Sequence, residues 1–167
     1  VTDGTQADES IRAWNHPDAG RLLGRGHTAG DFLEAYAWDL LDEESGFLRV
    51  SCHLPDHVKN PRGQLFGGFT PTYIDLISLL TVRAGRREEW ATGGERWLAT
   101  TNMRVDYFEP VVGPRFVIES RLEKEQGRTE FVAARFFQDG ALAVHALTTM
   151  RVVVPGSTPL ADGPVAG

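Results

Sequence analysis

One aspartate interrupts the most apolar stretch of this sequence. Asp75 is the only charged residue between Gly68 and Arg83. A carboxylate taken out of water is costly unless it is paired or shifts its pKa. An acid at such a position is therefore either a satisfied structural group or a working one, and the residue alone leaves both readings open. No lysine or arginine stands three or four residues away on either side, so any partner must come from elsewhere in the chain. Gly67-Gly68 lies just upstream, where the same stretch begins. The first turn of a helix exposes unpaired N–H groups and a partial positive charge, which can hold a carbonyl oxygen or an oxyanion. Glycine lets a ligand approach that backbone closely. The plain alternative is a tight turn into a helix.

Other chemistries find less support. His53 and His57 are four apart, but Pro55 between them breaks the helix that would align two imidazoles on a metal. His57 is a candidate imidazole near Gly67, against the plainer reading of a surface loop histidine. Cys52 is the only cysteine, so no intrachain disulfide can form, and its apolar strand context predicts a buried, inert thiol. Gly24 to Gly30 loosely resembles a dinucleotide loop, but its spacing is wrong and no apolar strand precedes it. There is no G-x-S-x-G elbow and no phosphate loop.

The elements that must position these residues follow from periodicity. Phe69 to Val82 has apolar residues at helical spacing (Phe69, Tyr73, Leu76, Leu80), which predicts a helix buried on most sides. Pro71 is tolerated in its first turn. Before it, Phe32–Leu41 and Phe47–Leu54 read as strands joined by a turn at Asp42 to Gly46. After it come four strand-like segments, about Trp97–Glu109, Arg115–Glu125, Thr129–Gln138 and Ala141–Val154. Asp139-Gly140 is a strong two-residue hairpin signal. The predicted order is β-β-α-β-β-β-β, an α+β arrangement in which an antiparallel sheet of about six strands, ending in a meander, wraps one helix.

The 167 residues suit one domain. Residues 1–30 read as a peripheral segment with a short helix near Glu9–Asn15, residues 31–155 as the domain, and residues 156–167 as a flexible tail. A net charge of −6 argues against a nucleic-acid binder. No apolar run approaches a membrane span and no signal peptide opens the chain, so a soluble cytoplasmic protein is expected.

Asn60-Pro61-Arg62-Gly63-Gln64-Leu65-Phe66-Gly67-Gly68, six residues and then Asp75 resembles the N-x-x-G-x-x-H-G-G-x6-D signature of hotdog-fold thioesterases of the phenylacetate-degradation type. Asn60, Gly63, Gly67, Gly68 and Asp75 match at every spacing, while Phe66 stands where the family usually has histidine. Thr100 to Pro110 is similar to the family strand that ends in Y-x-x-P. Gln126-Gly127-Arg128-Thr129 falls at the family's Gly-basic turn. The resemblance spans about Phe32 to Val154.

It implies a hotdog fold and hydrolysis of a thioester carried on coenzyme A or an acyl-carrier protein, with no cofactor. It also implies a homodimer or a tetramer of two dimers, with Asn60 of one subunit facing Asp75 of the other. Asp75 would act as general base or nucleophile, and the Gly67 N–H would polarise the carbonyl. Thr100 would orient water, against the plain reading of a strand threonine. Phe66 and Gly68 would line the substrate site, and Gly127 and Arg128 would meet a coenzyme A phosphate, against a solvated turn. Phe66 leaves two rivals in view: a non-catalytic acyl-CoA binding module, and a different hotdog enzyme such as a dehydratase.

Overall fold

The computed structural model describes residues 19–26, 28–85 and 97–153. A short helix α1 (Thr28–Phe32) and a 3-10 turn (Ala35–Ala37) lead into strand β1 (Asp39–Glu44). Strand β2 (Phe47–His53) follows, then helix α2 (Thr70–Arg83). The remaining strands are β3 (Trp97–Tyr107), β4 (Arg115–Gln126), β5 (Thr129–Gln138) and β6 (Ala141–Val153). The six strands form one antiparallel sheet in the order β1-β2-β4-β5-β6-β3, around α2, the one long helix among the described residues. This is the hotdog architecture expected from the sequence.

Local pattern explains most of these elements. In β2, Leu48, Val50 and Cys52 are buried and Arg49 is exposed, as strict alternation requires. Asp139 and Gly140 both take positive φ, 50° and 84°, in the two-residue turn between β5 and β6. Pro71 occupies the first turn of α2, where it displaces no intrahelical bond. The core centres on Tyr73 of α2, whose ring stacks on Trp38 and meets Phe116 and Phe136 of the sheet edge-on.

Three expectations need correction. Phe32–Leu41 is not a strand: α1 and the 3-10 turn occupy its first part, and β1 starts at Asp39. Glu34 lies between them in a left-handed conformation (φ 53°), which an extended strand cannot contain. The hairpin turn is only Ser45-Gly46, because Asp42, Glu43 and Glu44 still pair with β2. Nor do the last four strands form a simple meander, since β3 pairs with β6 at the sheet edge and not with β4. Three strand spacings of about 4.8 Å separate β3 from β4, and the residues 108–114 between them, at about 3.3 Å each, span that easily.

Leu22 and Leu23, which precede residue 31, are packed into the main core. The suggested helix at Glu9–Asn15 and the tail from 156 lie outside the described residues. No helix among them is long and apolar enough to cross a membrane.

Candidate active site

Asp75 is exposed in the single chain, contrary to the buried position its apolar neighbours suggested. The sheet covers the face of α2 that carries Tyr73, Ile74, Leu76, Ile77, Thr81 and Val82, and it leaves Asp75 on the open side. A charge that packing cannot pair is most cheaply kept there. Asp75 is not isolated, however. Thr100 Oγ1 donates a hydrogen bond to Asp75 Oδ1, so the groove between α2 and edge strand β3 holds the acid in a fixed orientation.

A β-bulge makes this contact possible. Thr100 pairs with Met150 and Asn102 with Thr149, so Thr101 is an extra residue in β3. Met150 is buried, so Thr100, opposite it, faces α2. Without the bulge, Thr100 and Asn102 would share a face. Thr101 instead bonds its hydroxyl to the Thr149 carbonyl at 3.1 Å.

The entrance to α2 is a tight turn, closed by a 2.8 Å hydrogen bond from Phe69 N–H to the Phe66 carbonyl. That bond does not use the amides of Gly67 and Gly68 in the middle of the turn. Neither glycine has the positive φ that would itself demand glycine. At Gly68 a Cβ would come within 2.6 Å of the Phe66 ring, whereas at Gly67 it would make only ordinary contact with Tyr107 at 3.8 Å. The Tyr107 hydroxyl donates to the Gly67 carbonyl at 2.9 Å. Sequence reasoning gave this tyrosine no role, although it is the Y of the Y-x-x-P strand ending.

Asn60 organises the loop before this turn. Its Oδ1 accepts from the N–H groups of Arg62 (2.9 Å) and Gln64 (3.2 Å), and its Nδ2 donates to Gln64 Oε1 at 3.3 Å. Gly63 supplies the left-handed residue of the same loop, at φ 77°. Phe66 is half exposed and meets Phe69 edge-on, and Phe69 meets Phe32 of α1 in the same way. His57 is exposed, as a loop histidine should be, but it is anchored: Nε2 lies 2.6 Å from the Phe32 carbonyl and the imidazole meets the Phe32 ring edge-on. No sequence signal marked Phe32 as part of this aromatic cluster.

The structure thus joins Asp75 with Thr100, and Gly67 with Tyr107, by two contacts of β3, one with α2 and one with the turn that enters it. It does not bring Arg128 to either. Gly127 (φ 63°) and Arg128 form the exposed β4–β5 turn, attached to β6 through a 2.8 Å bond from Val152 N–H to the Arg128 carbonyl. Cys52 is wholly buried, and burial pushes its thiol pKa well up, which agrees with an inert thiol. His53 contacts Glu34 through Nε2. No group of three His, Cys, Asp or Glu side chains suited to a metal occurs among the described residues.

The sequence model of the Thioesterase superfamily matches residues 62–144, from the loop before Phe66 through most of the sheet. Residues 62–144 carry the sequence pattern of the Thioesterase superfamily. Solved structures share its fold at low identity. A phenylacetic acid degradation-related protein of Ralstonia eutropha JMP134 aligns with a TM-score of 0.60 at 22% identity, covering 73% of this chain and 87% of its own. A hypothetical thioesterase of Streptococcus pneumoniae TIGR4, solved with coenzyme A, aligns at 0.58 and 19%, covering 70% and 88%. A Streptococcus mutans UA159 protein bound to acetyl-CoA aligns at 0.56 and 22%, covering 70% and 88%. No curated protein sequence matches the chain significantly.

Proposed function

We propose that this protein hydrolyses acyl-CoA thioesters, with Asp75 as general base or nucleophile and the Gly67 amide polarising the carbonyl. The observation that carries the reading is the hydrogen bond from Thr100 to Asp75, which fixes a solvent-accessible carboxylate on an apolar helix. A structural acid at this position would need no such orientation toward open space. Thr100, donating to the carboxylate, can also orient an attacking water. The coenzyme A complexes of the two streptococcal fold neighbours favour a coenzyme A ester over a carrier-protein ester.

The site is completed by a second copy. Asp75 lies five residues into α2, about 7.5 Å along the axis from Thr70 at 1.5 Å per residue. One thioester carbonyl cannot touch both Asp75 and the amides before Thr70 of the same subunit. A homodimer that sets Asp75 of one subunit against Gly67 of the other removes the conflict. Asn60 Nδ2, with one weak bond at 3.3 Å, keeps a proton to offer the facing carboxylate. Among the described residues, edge strand β3 pairs only with β6, and it has exposed Trp97 and Tyr107 at its ends, which suits such an interface. A tetramer of two such dimers is compatible with it.

Phe66, with Phe69 and Phe32 behind it, forms an apolar wall where the family has an imidazole, and we assign it to a bulky acyl group. Arg128 and Gly127 are assigned to a coenzyme A phosphate. The rival reading, a binding module without catalysis, rests on the same Phe66. A dehydratase is less favoured, because the imidazole closest to Gly67 in sequence, His57, is tied to the Phe32 carbonyl.

Free-thiol release from aliphatic, aromatic and hydroxylated acyl-CoAs tests the reading. Turnover of at least one is expected. Tight binding across the panel without thiol release would leave the binding module, and a stable folded monomer at micromolar concentration would remove the shared site.

A further inference from the structure

One strand makes both contacts. β3 carries Thr100, which bonds Asp75, and Tyr107, which bonds the Gly67 carbonyl. In a regular strand these two residues, an odd number apart, would point to opposite faces. The bulge at Thr101 restores the parity. Thr100 pairs with Met150 and Tyr107 with Val144, both buried, so both hydroxyls face the α2 side.

We propose that Tyr107 is a positioning residue: it fixes the Gly67–Gly68 peptide so that its N–H is aimed for the thioester oxyanion. The proposal rests on the thioesterase reading of the site. Glycine pairs are the most conformationally free of dipeptides, so an unrestrained Gly67–Gly68 peptide can rotate and present its carbonyl where a donor is needed. Among the described residues, neither glycine N–H has a hydrogen-bond partner to prevent this. Tyr107 supplies the restraint from the other side of the peptide. The carbonyl and N–H of a trans peptide point in opposite directions. Holding the Gly67 oxygen on the β3 side at 2.9 Å therefore turns the Gly68 N–H away from β3.

The Tyr107 ring also lies against Gly67, at the 3.8 Å a Cβ there would meet, which blocks one direction of rotation. Polarisation then involves two amides, Gly67 and Gly68, of which the second is set by a side chain on the edge strand. Donors held in place before the reaction stabilise a developing oxyanion more than donors that must reorient during it. Tyr107 is about half exposed in the single chain and lies outside the packed core, and a phenylalanine there keeps the ring contacts of fold and interface.

The test is Tyr107→Phe, which keeps the ring and removes the hydroxyl. With the best acyl-CoA, kcat is expected to fall about fivefold to twentyfold, while KM stays within about twofold and the thermal midpoint is unchanged. In parallel, 15N-labelled protein is titrated with acetonyl-CoA, whose ketone replaces the thioester and cannot be hydrolysed. The Gly68 amide resonance should shift strongly in the wild type and much less in Tyr107→Phe. Equal kcat and equal Gly68 shifts in the two proteins would overturn the proposal, as would a wild-type Gly68 amide that ignores the analogue. If the wild type releases no thiol from any ester, the thioesterase reading falls. A Gly68 shift that depends on Tyr107 would still support the positioning role in that case.

Discussion

Thr100 and Asp75, twenty-five residues apart in sequence, share a hydrogen bond across the groove between β3 and α2. The bond couples the two residues, but their substitution effects should differ in size. Asp75→Asn keeps the shape of the side chain but can act neither as base nor as nucleophile, so thiol release should be lost while fold and dimer persist. Thr100→Ala removes one hydrogen bond, worth about 0.5–1.5 kcal/mol, so kcat should fall by about twofold to tenfold. Steady-state kinetics with circular dichroism and sedimentation decide both. Normal turnover by Asp75→Asn would make the acid structural.

Arg128 sits on an exposed turn away from Asp75, so its contribution should be to binding. Arg128→Ala should raise KM for CoA thioesters more than it lowers kcat, because a remote phosphate contact is alike in ground and transition states. The wild-type KM should rise with salt and that of the variant much less. A KM indifferent to both changes would place the phosphates elsewhere.

Phe66→His separates two accounts of the departure from the family signature. If Phe66 packs against the acyl group, kcat/KM on the best substrate should fall and small esters should be little affected. If it only marks a missing polar contact, histidine should raise kcat/KM on small acyl-CoAs by up to about tenfold. The aromatic chain from Phe66 through Phe69 to Phe32 favours the first outcome. An inactive pair of proteins that both bind acyl-CoA would favour the binding module.

Cys52 gives stability a pH dependence of known sign. Burial holds its pKa in the folded chain well above the ordinary value of 9.0. Below that value the thiol is protonated folded or unfolded. Above it only the unfolded chain loses the proton, so stability should decline as pH rises past about 9. Chemical denaturation between pH 7 and 10 should show the decline, and Cys52→Ala should lose less stability over the same range. A native thiol that reacts rapidly with a disulfide reagent at pH 8 would contradict its burial.

Much of this protein is set by the sequence alone, because it depends on neighbours in the chain. Helical spacing from Phe69 to Leu80 defines α2, and alternation defines β2. Asp139-Gly140 supplies a turn that few other pairs can adopt. The spacing from Asn60 to Asp75 marks the candidate residues of that stretch, since a loop, a turn and one helix carry them. Tertiary structure decided the rest. Whether β3 pairs with β4 or β6 is a competition between distant strands, and local pattern does not encode it. The inward aim of both Thr100 and Tyr107 depends on one extra residue, Thr101, which is recognisable only against the register of β6. The exposure of Asp75 was hidden for the same reason: periodicity says that α2 is mostly buried, but only the assembled sheet shows which side it leaves open.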